Sequence, residues 1–79
     1  MKIKVLYFAK LREERGCSEE SIELNVNTAK ELYEELKVRH KFSMPIELLK
    51  IAINDEFSSW DSPIRENDVV AFIQPVAGG

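Results

Sequence analysis

Hydrophobic and polar positions alternate from the start of the chain. Ile3, Val5 and Tyr7 fall on one side of an extended backbone and Lys2, Lys4, Leu6 and Phe8 on the other, because successive strand side chains point to opposite faces. Residues 2–8 are rich in β-branched and aromatic types, which favour a strand. The all-apolar side is expected to face the core. The other side opens with two lysines, as a solvated surface does, and closes with Leu6 and Phe8. A second alternation, Ile22, Leu24 and Val26 against Glu23 and Asn25, predicts a half-buried strand over Ser21–Val26. Between the two, Ala9–Arg15 suits a short helical turn that Gly16 ends, so the strands can pair as a wide hairpin.

The period changes at Thr28. Thr28 and Glu31 match a capping box, in which the hydroxyl accepts from the Glu31 backbone and the carboxylate reaches back. Ala29, Leu32, Tyr33 and Leu36 then form an i, i+3, i+4, i+7 stripe that His40 extends. A helix over Ala29–His40 follows, with Glu35 and Arg39 ordered as an i, i+4 ion pair. Lys37, Arg39, His40 and Lys41 could hold a small anion, but four cations at this end are better read as complementing the helix dipole, with His40 as a packing residue. Pro45 suits the first turn of a short helix to which Ile46, Leu48 and Leu49 give apolar mass. Ile51–Ile53 reads as a brief strand, Asn54-Asp55-Glu56 as its turn and Phe57 as the return. Ser58–Pro63 is a loop holding Trp60, which is expected to lie over the core as a lid. Arg65–Asp68 is a turn. In the final strand, Val69–Ile73, Val70 and Phe72 share one face and Val69, Ala71 and Ile73 the other. Two antiparallel strands, a crossover helix and a last strand parallel to the first make an α+β fold. That is the β-grasp, or ubiquitin-like, arrangement: a mixed sheet with one main crossover helix and short helical turns.

Composition narrows the function. Seventy-nine residues with no repeat and no linker-like stretch imply one domain over 1–79, with 75–79 as a flexible tail. Fourteen acids against eleven bases give a net charge of −3, the wrong sign for a module whose affinity comes from neutralising phosphates, so no nucleic-acid partner is expected. One cysteine and one histidine are too few for a usual zinc set, so no metal site is expected. Cys17 cannot form an internal disulfide and reads as an unreactive loop thiol. No apolar run is long enough to span a membrane, and the N-terminus lacks a signal-peptide pattern and reads as mature protein. A soluble cytoplasmic domain without a membrane partner is the expectation.

The chemistry lies in the last six residues, Gln74-Pro75-Val76-Ala77-Gly78-Gly79. Pro75 has no N–H and ends the ladder. Pro75 to Gly79, fully extended, reach about 17 Å beyond the sheet, and paired glycines pass where a Cβ would collide. A free carboxylate at Gly79 is ionised at neutral pH and a poor electrophile. Joined to AMP it becomes a mixed anhydride with a good leaving group, and a sulfur donor that displaces AMP leaves a thiocarboxylate. An amine attacking the same carbon would instead attach the domain to a target. Neither step needs a catalyst on this chain, and no nucleophile–base pair is visible in it.

Val5-Leu6-Tyr7-Phe8-Ala9-Lys10-Leu11-Arg12-Glu13 and Asn67-Asp68-Val69-Val70-Ala71-Phe72-Ile73-Gln74-Pro75-Val76-Ala77-Gly78-Gly79, with Ala52-Ile53-Asn54 between them, resemble the small subunits of molybdopterin synthase, which are ubiquitin-like sulfur carriers. Two positions depart. Asn67 stands where the family often has glycine, a mild change because asparagine tolerates a left-handed turn. Gln74-Pro75 stands for a proline pair, which is expected to loosen the exit slightly. The resemblance implies that an E1-like adenylyltransferase uses ATP to adenylate Gly79. It also implies that a persulfide-bearing sulfurtransferase supplies the sulfur, and that the tail delivers it to cyclic pyranopterin monophosphate in the active site of the large subunit. Two copies of each subunit would assemble, and the chain itself would bind no cofactor and act as a non-catalytic donor. Carriers for thiamine thiazole or tRNA thiolation, and protein modifiers conjugated through Gly79, are the alternatives. If the first and last strands pair, Leu6, Phe8, Val69, Ala71 and Ile73 become contiguous apolar surface beside the tail, as a partner face would. Arg12, in the first matching block, is placed with them. The competing expectation is that the loop around Trp60 covers this face.

Overall fold

The computed structural model describes residues 1–75. The tail residues Val76, Ala77 and Gly78, and Gly79 as the reacting terminus, lie outside the described residues. The chain folds as β1 (Lys2–Tyr7), α1 (Ala9–Arg15), β2 (Glu19–Glu23) and α2 (Ala29–His40). A 3-10 turn (Ile46–Leu48) follows, then β3 (Lys50–Ile53), β4 (Glu56–Ser58) and β5 (Val69–Ile73). The five strands form one mixed sheet in the order β2-β1-β5-β3-β4. β1 is antiparallel to β2 and parallel to β5, and β3 is antiparallel to β5 and β4. This is the expected β-grasp.

Helix α2 begins where its capping residues place it. The Thr28 Oγ1 accepts the Glu31 N–H at 3.3 Å, while the Glu31 carboxylate accepts the N–H of Asn27 at 2.9 Å, one residue before the cap. Ala29, Leu32, Tyr33 and Leu36 are fully buried, and they meet the sheet face built from Ile3, Val5, Tyr7, Ile51, Val70 and Phe72. Truncating Leu36 to alanine removes packed atoms at the middle of this seam and is expected to cost about 2–5 kcal/mol, read by urea denaturation.

The second strand departs from its predicted Ser21–Val26 span. It starts at Glu19, opposite Leu6, and ends at Glu23, opposite Lys2. Leu24 gives one more backbone bond, to the carbonyl of Met1 at 2.9 Å. The alternation does continue through Val26, but β1 has run out of residues to pair with it. Leu48 also differs from expectation, since it is exposed and adds nothing to the core, whereas Leu49 is buried. Asn67 adopts φ 67°, the left-handed conformation expected of it, and donates its N–H to Lys2 O at 2.7 Å. Gly16 ends α1 at φ 86° with open space where a Cβ would sit. Gly16→Ala therefore costs only the conformational strain, about 1 kcal/mol, seen as a small drop in Tm.

Candidate docking face and tail exit

The parallel pairing of β1 with β5 sets Leu6 beside Ala71 and Lys4 beside Val69. Across the sheet, Ala71 faces Ala52, and Ala52 faces Phe57. The row Leu6–Ala71–Ala52–Phe57 thus crosses four strands on the side opposite α2. Two alanines in the middle and larger side chains at either end leave a shallow depression of about 210 Å³, walled by Leu6, Phe8, Phe57 and Ile73. Phe8 is 43% exposed and Phe57 74%. For two apolar rings lining one depression this is substantial unpartnered surface. At one border Lys4 and Glu19 pair at 3.1 Å.

The five apolar residues singled out from the sequence, Leu6, Phe8, Val69, Ala71 and Ile73, all line this depression. Ala52 and Phe57 were missed. The signal for them lay in Asn54-Asp55, a two-residue turn with both φ values positive (52° and 71°). Such a turn fixes a tight hairpin and so puts Phe57 opposite Ala52. Arg12 is exposed on α1 but does not line the depression. Trp60 packs on Tyr33 and Phe72, with ring centroids 5.9 and 6.1 Å away. Both are core residues on the helix side of the sheet, so the Trp60 loop is a lid over the core and does not cover the outer face.

The strand that carries the tail ends on this surface. Ile73 pairs with Lys50 as the last rung of β5. A second groove of about 660 Å³, with Phe57, Ser58, Ile73 and Pro75 in its walls, shares Phe57 and Ile73 with the depression. Pro75 is exposed at its edge. Departing from the looser exit expected of Gln74-Pro75, the Gln74 side chain is tied down, accepting the Lys10 N–H at 2.9 Å.

The titratable residues flagged in the sequence lie elsewhere. Arg39 is paired with Glu35 at 3.2 Å, as expected, and His40 points inward; Lys37 and Lys41 alone share a groove, which Glu34 and Glu47 also line, so the four do not form one basic patch. Glu20 receives two bonds from Arg15, at 2.8 and 2.9 Å, and one from the Tyr7 hydroxyl. The Arg15 bonds hold the Glu20 carboxyl below its ordinary range. His40 Nε2 lies 3.5 Å from Glu20 Oε2 without a hydrogen bond, in contact with the Phe42 ring. Burial first, and then the Arg15 and Arg39 cations, hold the imidazole pKa below 6.5, against the opposing pull of Glu20. The unfolded chain therefore takes up a proton before the folded one does, and stability falls as pH drops below about 6.5. Glu20 adds a further loss in more acid solution, where the depressed carboxyl finally protonates. Tm should thus fall between about pH 7 and about pH 5, and His40→Gln should flatten that interval. Cys17, half-buried in the loop after α1, packs against the core.

This geometry has known counterparts. The ThiS family model matches residues 5–79. The molybdopterin synthase sulfur carrier subunit of Escherichia coli is 32% identical over 80 residues, covering 98% of this chain and 99% of that protein. A putative molybdopterin converting factor subunit 1 from Pyrococcus furiosus superposes with a TM-score of 0.80 at 38% identity, covering 95% of this chain and 98% of the other. A chain from the complex of subunits 1 and 2 of the molybdopterin-converting factor from Helicobacter pylori gives a TM-score of 0.68 at 25% identity over the full length of both. On these matches the chain belongs to the ThiS family, among whose members the molybdopterin synthase sulfur carrier subunits are its homologues.

Proposed function

We propose that this chain is the sulfur-carrying subunit of a molybdopterin synthase, and that the group it carries is formed on the carboxylate of Gly79. The observation that carries the reading is the apolar depression of Leu6, Phe8, Ala71 and Phe57, which runs into the groove where β5 hands over to Pro75. A partner seated on the depression lies beside Pro75, and the five residues from Pro75 to Gly79 could, if fully extended, span about 17 Å to a recessed site. The Helicobacter pylori structure is a complex of subunits 1 and 2 of a molybdopterin-converting factor, which supports a second subunit as the partner; two copies of each assembling together is part of the proposal.

The chemistry is carried by partners. An E1-like adenylyltransferase joins the Gly79 carboxylate oxygen to the α-phosphorus of ATP and releases pyrophosphate. The terminal sulfur of a donor persulfide attacks the acyl carbon and AMP leaves. A thiol then cleaves the resulting acyl disulfide at the donor's sulfur. That step frees the thiocarboxylate and leaves the donor oxidised as a mixed disulfide. In the large subunit's active site the thiocarboxylate sulfur is transferred to cyclic pyranopterin monophosphate, and hydrolysis of the acyl group regenerates the carboxylate. ATP belongs to the activating enzyme and this chain acts as a donor substrate. A cytoplasmic setting follows from the ATP and the free thiols.

Mixing the chain with the large subunit of its own organism tests the partner assignment. The expected result is a stable complex by size-exclusion chromatography with light scattering. A chain that stays monomeric with that subunit, and is instead found amide-linked to lysines in cell lysate, would make it a protein modifier.

A further inference from the structure

We infer that Gln74 is a positioning residue that fixes the point at which the reactive arm leaves the fold. Helix α1 starts without a cap of its own, because Phe8 at the N-cap position has no side-chain acceptor and the first turn has no acidic residue. Leu11 and Arg12 direct their N–H groups to Phe8 O at 3.1 and 3.4 Å. The Lys10 N–H, which an N-cap side chain would normally serve, is satisfied from across the molecule by Gln74 Oε1 at 2.9 Å. The other end of the same amide, Nε2, lies 4.0 Å from Met44 Sδ in the segment between α2 and the 3-10 turn. One side chain thus ties the end of β5 to two neighbours, one residue beyond the last strand rung at Ile73–Lys50.

The consequence concerns reach. Ile73 stays paired with Lys50 as the last rung of β5, so release of the Gln74 side chain frees Gln74 alone. The origin of the arm then becomes uncertain by up to about 3.5 Å. A partner that docks on the depression and accepts the terminus at a fixed distance meets the carboxylate less often when that origin wanders. Docking itself is untouched. Gln74 therefore governs turnover of the arm and leaves partner affinity alone, a role that rests on the carrier function proposed above.

Gln74→Leu keeps the bulk and removes the acceptor, whereas Gln74→Glu keeps an acceptor for the Lys10 N–H. With ATP and the adenylating enzyme of the same organism, Gln74→Leu should lower kcat by about three- to tenfold with KM within about twofold, the range one released hydrogen bond can account for. Gln74→Glu should recover most of the loss. In parallel, amide exchange at Lys10 should speed up in Gln74→Leu and not in Gln74→Glu. Unchanged kcat in Gln74→Leu, or equal losses in both variants, would overturn the proposal. A wild-type chain that the enzyme cannot adenylate would refute the carrier function. The clamp would then be judged by exchange alone: faster Lys10 exchange in Gln74→Leu upholds it, and unchanged exchange disproves it.

Discussion

Phe8→Asp is expected to weaken binding to the large subunit by at least about thirtyfold while leaving a folded chain. Phe8 is 43% exposed on the wall of the outer depression, so in the complex it would be among the apolar groups that lose water. A carboxylate there would be buried without a partner, and losses at such central positions run to about 2–4 kcal/mol. The same residue is the uncapped N-cap of α1, at φ −131° and ψ 155°. Aspartate suits that position, but the Lys10 N–H is already held by Gln74 and the Leu11 N–H by the Phe8 carbonyl, so it adds little there. The substitution should therefore leave the Tm nearly unchanged. Isothermal titration with the large subunit, beside thermal unfolding of the free variant, separates the two effects. Phe57→Asp, on the opposite wall and 74% exposed, should act in the same direction. Undiminished affinity in both variants would remove the depression from the interface.

Deleting Gly79 should abolish loading altogether and leave stability unchanged. Glycine has no side chain to add to a core, so Tm should move by less than about 2 °C. On the proposed mechanism loading needs the carboxylate of a terminal glycine that the adenylating partner accepts, and Gly78 in its place would present that group one residue short. The variant should still bind the large subunit, since the proposed docking residues are unchanged. Thermal unfolding, binding and incubation with ATP and the adenylating enzyme give three readings on one sample. Loading of the shortened chain would show that the reacting group lies elsewhere.

What could be read from the residues alone depended on how local the cause was. Helix α2 was legible to its boundaries because its signals, the Thr28–Glu31 cap and the apolar stripe, lie within the helix itself. The inward face of the sheet was legible for the same reason, through the period-two pattern of Ile3, Val5 and Tyr7 and of Val70 and Phe72. β2 was misplaced because its end is set by the length of its neighbour: once β1 begins at Lys2, nothing remains for Val26 to pair with. Most of the outer depression was visible from Leu6, Phe8, Val69, Ala71 and Ile73. Ala52 and Phe57 needed the register that brings Ala52 beside Ala71 and Phe57 beside Ala52, which no single segment specifies. Arg12 was grouped with that face through its place in a matching block, but its helix leaves it outside the depression. Gln74 was the least legible. Its partner Lys10 is sixty-four positions away, and a glutamine beside a proline carries no local sign that its amide will cap a helix at the other end of the chain.

The terminal carboxylate is the proposed site of sulfur loading. Intact-mass spectrometry of the purified chain after incubation with ATP, the adenylating enzyme and a persulfide donor tests it most directly. A mass gain equal to replacing one oxygen by one sulfur, located to Gly79 by fragmentation, is the predicted result. An unchanged mass under conditions in which a related carrier is fully loaded, or sulfur found on Cys17 instead, would contradict it.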